Sequence, residues 1–164
     1  MLQIVIKNQT LEKLSGTTFA KELTAHQCAA LAQIMTIKHL SRGQYLLREG
    51  NRDDALYIVT RGSLSVVKNT SGDEEVISCI KEGALAGAMG FIDGQAHTAG
   101  LRADRETEVL ALPRKELDRL LLNDAQMVYN VMRAIIRSVH TIVRDMNDQY
   151  VQLTSYITKQ HGRY

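Results

Sequence analysis

The stretch RGQYLLREGNRDDALYIVTRG, from Arg42 to Gly62, decides the fold. It holds two short β-rich runs, Tyr45-Leu46-Leu47 and Ala55 to Val59, each followed by a glycine-bearing turn, at Glu49-Gly50-Asn51 and at Arg61-Gly62. The same rhythm continues with Leu64 to Val67, Val76 to Ile80 and Val109 to Leu112, with turns at Ser71-Gly72-Asp73 and Glu82-Gly83. Short strands at a spacing of about 8–12 residues with this punctuation describe a sandwich, jelly roll or barrel. Nine of the eleven glycines fall between Gly43 and Gly100. The interval from Gly83 to Gly100 has five of them and little β-branching, so it reads as an irregular loop with one helical turn.

Helical patterns flank this β-rich centre. Thr24 and Gln27 form a capping-box pair, and Cys28, Leu31, Ile34 and Met35 recur at helical spacing, which predicts a helix from about Thr24 to Thr36. After Pro113, suited to a first helical turn, Leu117, Leu120 and Leu121 mark a short helix. From about Ala125 a second helix carries Met132, Ile135, Val139, Ile142 and Met146 at alternating steps of three and four, with Arg133, Arg137, Arg144 and Asp145 between them. The seam continues more weakly through Gln149, Leu153 and Tyr156. A helix of about 25–35 residues exceeds the globular mean, and a parallel helix from a second copy is the economical partner for such a seam. The expected organisation is a β domain with its flanking helices over residues 1–124, and a dimerisation helix with a tail over 125–164.

Composition removes several classes of function. The 164 residues include 45% apolar and 23% charged side chains, with a mean hydropathy of -0.17. No apolar run reaches the roughly 18 residues of a membrane span, and the residues from Met1 to Thr10 show no cleavage motif, so the expected location is cytoplasmic. Net charge is +2, too small for a broad nucleic-acid-binding field. Cys28 and Cys79 lie far apart outside any CxxC; the former reads as core and the latter as part of a strand. His26, His39, His97, His140 and His161 form no HxH pair, so no metal site is expected. No GxSxG, HExxH or P-loop occurs, Asp53, Asp54 and Asp93 suit turns and caps, and no catalytic residue is assigned.

Three segments at fitting spacing, Phe19 to Thr24, Arg42 to Gly50 and Asp54 to Gly62, precede the glycine-rich segment from Gly87 to Ala103. In this order they resemble the cyclic-nucleotide-binding domain of the catabolite activator protein (Crp/Fnr) family, in a form without a DNA-binding domain. The resemblance implies a mainly β jelly roll with flanking helices and a long C-terminal dimerisation helix. It also implies a regulatory, non-enzymatic role and a phosphate-binding cassette at Gly87, Ala88, Met89, Gly90, His97 and Thr98. In the family a cassette glutamate accepts from the ribose 2'-hydroxyl and an arginine clamps the phosphate through two parallel bonds.

Two residues depart from that pattern. Ala88 stands at the glutamate's position and His97 at the arginine's. Alanine accepts nothing, and a histidine gives at most one donor where arginine's fork gives two. With each charge-assisted bond worth roughly 1.5–3 kcal/mol, losing both predicts binding weaker by about a hundredfold to ten-thousandfold if the costs add.

The expected ligand is a weakly held cyclic nucleotide or another small anion on the backbone of Gly87 to Gly90, beside Thr98. The alternative is a scaffold whose pocket is filled by Met89 or Phe91. Thr141, beside Ile142 and Val143, is the nearest polar residue where the family's long helix meets the purine. Eighteen residues after Met146 leave no room for a helix-turn-helix, so direct DNA binding is not expected, and the partners implied are a second copy and a downstream protein.

Overall fold

The computed structural model describes residues 2–161. The chain opens with α1 (Leu2–Ser15) and a 3-10 turn (Phe19–Glu22), followed by α2 (Ala25–Ile34). The capping box forms as its sequence predicts: Gln27 N donates to Thr24 Oγ1 at 3.2 Å, and Thr24 N donates to Gln27 Oε1 at 3.0 Å. The helix stops two residues earlier than expected because Met35 is extended and the chain enters β1 (Thr36–Leu40).

Seven more strands follow: β2 (Tyr45–Leu47), β3 (Ala55–Arg61), β4 (Ser63–Thr70), β5 (Asp73–Lys81), β6 (Leu85–Ala86), β7 (Gly100–Ala103) and β8 (Thr107–Pro113). They make two antiparallel four-stranded sheets, β1-β8-β3-β6 and β2-β7-β4-β5. This is a jelly-roll sandwich. Ser71 and Gly72 both have positive φ, 56° and 101°, which closes the two-residue hairpin between β4 and β5 with a twist that suits the strands. Gly62 is compelled: its φ is +87°, and a Cβ there would lie 2.7 Å from the Glu106 carbonyl oxygen.

Two cores follow from the alternation of side chains along β3 and β8. One face of the first sheet sends Leu56, Ile58, Leu110 and Leu112 against the helices, where Leu14, Phe19, Leu31, Met35, Val131 and Ile135 meet them. The other face sends Tyr57, Val59, Val109 and Ala111 into the sandwich against Leu47, Leu64, Leu101 and Ala103. Residues 56–59 are therefore buried without a break, which explains a continuous apolar run rather than an alternating one.

Pro113 ends β8 and caps α4 (Arg114–Leu121), one place before the helical position expected for it. The last helix, α5 (Ala125–His161), has 37 residues. Its first turns belong to the helix-side core through Met127, Val131, Ala134 and Ile135, and an Arg137–Glu22 ion pair fastens it to the 3-10 turn. From His140 to Thr158 every side chain is exposed. No helix among the described residues is long and apolar enough to cross a membrane.

Candidate functional site

The Gly83 to Gly100 interval folds as the sequence suggests, into a short helix between two strands. Gly87 takes a left-handed φ of 74° at the N-cap of α3 (Ala88–Asp93). A Cβ on Gly87 would sit 3.2 Å from the Ala55 carbonyl oxygen and 3.3 Å from the Tyr57 ring, so β3 packs directly beneath the entry to the helix. The first N–H groups of any helix lack intrahelical acceptors, and here those belong to Ala88, Met89 and Gly90. Gly94, with φ 69°, ends the helix, and Asp93 Oδ1 accepts from Gln95 N at 2.9 Å.

Ala88 is buried in the helix-side core and presents no polar atom. His97 is fixed through its backbone: its N–H donates to the Asn51 carbonyl at 2.9 Å, and Gly50 N donates to the His97 carbonyl at 2.8 Å. Its imidazole lies against Gly90, where a Cβ would come within 2.7 Å of Cε1. The ring nitrogen Nε2 is buried with no hydrogen-bond partner. Thr98 is exposed, and its carbonyl accepts from Lys68 Nζ at 2.9 Å.

Met89 and Phe91, which the scaffold alternative places in the pocket, lie as follows. Met89 points outward, 62% exposed, and Phe91 is buried among the helices. The group seated on the cassette is His97 itself. Sequence reasoning also missed Arg114, whose Nη2 donates to the Gly90 carbonyl at 2.7 Å and whose guanidinium lies 5.8 Å from the centre of the Phe91 ring. Its backbone N–H donates to the Asp54 carbonyl at 2.7 Å, so α4 begins tied both to the cassette and to the start of β3. The position just after the lone proline was its one sequence signal.

The remaining candidates have structural partners. Asp53 accepts from Ala55 N at 2.7 Å and from the Tyr57 hydroxyl at 2.9 Å. Burial, with the Asp53 carboxylate beside it, pushes the Tyr57 hydroxyl far above its ordinary value. Cys28 is buried and raised by that burial, while Cys79 is exposed with its thiol 3.7 Å from Asp104. No group of three His, Cys, Asp or Glu among the described residues is placed to hold a metal ion. A groove of about 250 Å³ runs between β2 and the turn that holds His97, lined by Tyr45, Leu47, Arg48, Asn51 and Asp53 and by no cassette residue. On α5, Met132 and Val139 are half-buried against the core and Ile135 is fully buried in it, whereas Ile142 and Met146 are exposed. Thr141 is exposed and its hydroxyl donates to the Arg137 carbonyl.

Residues 37–124 match the family of the cyclic nucleotide-binding domain. The chain belongs to that family. Among curated proteins it is similar to a cGMP-dependent protein kinase of Caenorhabditis briggsae, 24% identical over 159 residues that cover 90% of this chain and 21% of the kinase. It thus spans about a fifth of that relative. A cyclic nucleotide-binding domain from Methylobacillus flagellatus superposes with a TM-score of 0.78 at 23% identity, covering 89% of this chain and 83% of the other. A regulatory subunit of a cAMP-independent protein kinase A from Trypanosoma cruzi, bound to guanosine, superposes with a TM-score of 0.66 at 20% identity, covering 80% and 46%. The two structural likenesses show that the chain shares the fold of these domains.

Proposed function

We propose that this chain is a non-enzymatic regulatory module whose cassette has turned away from cyclic nucleotides and which signals as a homodimer through α5. The carrying observation is His97: its imidazole occupies the cassette against Gly90, at the position where the family resemblance puts the phosphate-clamping arginine. Ala88 leaves the ribose hydroxyl without an acceptor. The T. cruzi subunit, bound to guanosine, supports a ligand that carries no cyclic phosphate. A route from cassette to dimer helix exists in the chain: a ligand that moves Gly90 moves the carbonyl held by Arg114, which heads α4, and α4 packs on α5.

Calorimetry with cAMP, cGMP, cyclic dinucleotides and guanosine tests this reading. No cyclic mononucleotide binds more tightly than about 100 μM, and the Ala88→Glu, His97→Arg double variant gains cAMP affinity at least about tenfold. Micromolar binding of cAMP by the unaltered chain overturns it. The second reading is a scaffold with a closed pocket, favoured by the seated imidazole; silence towards every ligand from a chain that remains dimeric selects it.

A further inference from the structure

The groove beside β2 lies at the free edge of the second sheet, where β2 is the outermost strand. After β2 the chain turns at Gly50, with a left-handed φ of 81°, and Asn51 N donates to the Arg48 carbonyl at 3.2 Å. At about 250 Å³ the groove is smaller than the usual drug-sized pocket, so it suits a molecule of a few carbons. Tyr45 and Leu46, both half-buried, line it beside the exposed Arg48 and Arg52. The Arg48 guanidinium lies 4.1 Å from the centre of the Tyr45 ring, a stacking contact that holds the side chain and leaves its in-plane donors free. Among the described residues no carboxylate pairs with Arg48 or Arg52, and neither side chain donates a hydrogen bond. The carboxylates next to them in sequence are committed elsewhere. Glu49 Oε2 accepts from Asn69 N at 3.0 Å and its Oε1 lies 3.5 Å from Lys68 Nζ, while Asp53 accepts from Ala55 N and the Tyr57 hydroxyl.

Arginine's planar fork matches a carboxylate through two parallel bonds. Two unpaired forks on one small groove with an aliphatic wall call for two carboxylates on a short carbon chain. We infer that this groove binds a small dicarboxylate, with one carboxylate on Arg48, the other on Arg52 and its methylenes over Leu46. The Asp53 carboxylate shares the groove and repels a third acid group. The two arginines bracket the turn that holds the cassette histidine: Gly50 N donates to the His97 carbonyl at 2.8 Å, and His97 N donates to the Asn51 carbonyl at 2.9 Å. A ligand that fixes Arg48 and Arg52 together therefore acts on His97 from outside the cassette. The groove has no cassette residue in its lining, so this site stands whether or not the cassette takes a ligand.

Titration of the full chain with succinate and glutarate, followed by calorimetry and by amide chemical shifts, tests the inference. The expected result is saturable one-to-one binding with a Kd below about 1 mM, and shifts at residues 45–53 and at the His97 amide. Arg48→Gln with Arg52→Gln weakens it at least about tenfold, whereas Arg42→Gln with Arg61→Gln, two exposed arginines outside the groove, leaves it unchanged. All four side chains are exposed, so both variants keep the fold, and an unaltered thermal melt checks this. Acetate or inorganic phosphate bound as tightly as succinate overturns the proposal. So do shifts that are absent up to about 10 mM dicarboxylate or spread over the surface, and binding that survives in the Arg48, Arg52 variant.

Discussion

Gly90 is gripped from two sides, by the His97 imidazole over its Cα and by the Arg114 guanidinium on its carbonyl oxygen. An alanine here meets a side-chain ring rather than backbone, so the ring gives way. Gly90→Ala is expected to shift the His97 ring resonances while lowering stability by about 1–3 kcal/mol, as overpacking does, with NMR and thermal melts reporting the two effects. Gly62→Ala differs in kind, because its left-handed backbone and the Glu106 carbonyl 2.7 Å away cannot both adjust. Its loss of stability should be the larger of the two in the same melts. At this scale the site was half legible. Ala88 and His97 could be read as losses, since the absent chemistry is a property of residue type. What His97 does instead depends on a loop that folds back to Asn51, and no local pattern encodes that.

On α5 two apolar stripes run side by side, and the sequence cannot choose between them. The expected seam uses Ile135 and Ile142. The structure buries Ile135 completely in the chain's own core and leaves Ile136 60% exposed, so the outward stripe is Ile136, Val139, Val143, Met146, Tyr150 and Leu153, at unbroken steps of three and four. Its β-branched Ile136 and Val143 lie seven residues apart, the repeat of one position in a two-stranded parallel seam. Ile136→Asp is expected to shift the chain from dimer to monomer in sedimentation while far-UV circular dichroism stays unchanged. Ile135→Asp is expected to unfold it, losing more than about 3 kcal/mol. A dimer that survives Ile136→Asp excludes this register. Other elements escaped sequence reading for related reasons. Ile4, Val5 and Ile6 of α1 are all exposed and so have no helical period, and β7 is Gly-Leu-Arg-Ala, with no β-branched residue. The strands that were legible, β2 to β5 and β8, carry either the buried runs or the glycine turns.

For the molecule as a whole, three carboxylates held low in the fold, Glu108, Asp104 and Glu49, shape the response to acid. Burial alone would raise the Glu108 carboxyl, but the Lys13 ammonium and Thr60 hydroxyl hold it below the ordinary range. Asp104 is likewise lowered, with burial outweighed by the Ser65 and Ser63 hydroxyls and the Cys79 thiol. Folded-state values below the unfolded ones mean that the unfolded chain binds more protons. Their contribution is complete above the unfolded carboxylate range, about pH 4–5, and is lost as pH falls through the lowered folded values. Urea melts should therefore show stability that is flat from pH 7 to about 5 and falls below it. Glu108→Gln is expected to cost about 1–3 kcal/mol at pH 7, a difference that shrinks in acid; a constant difference at every pH contradicts the role given to the ion pair. The jelly roll itself was legible from the spacing of strands and turns, whereas the Lys13–Glu108 ion pair joins residues 95 apart and has no signature along the chain.

The long helix is anchored over residues 125–139, and from 140 to 158 its side chains are exposed. At 1.5 Å per residue this outer part is about 29 Å long, about a quarter as long again as its anchor. It is a lever arm. A tilt of about 5° at the root, within the reach of small side-chain rearrangements, sweeps the far end by about 3 Å, so whatever binds the tip feels core motion magnified.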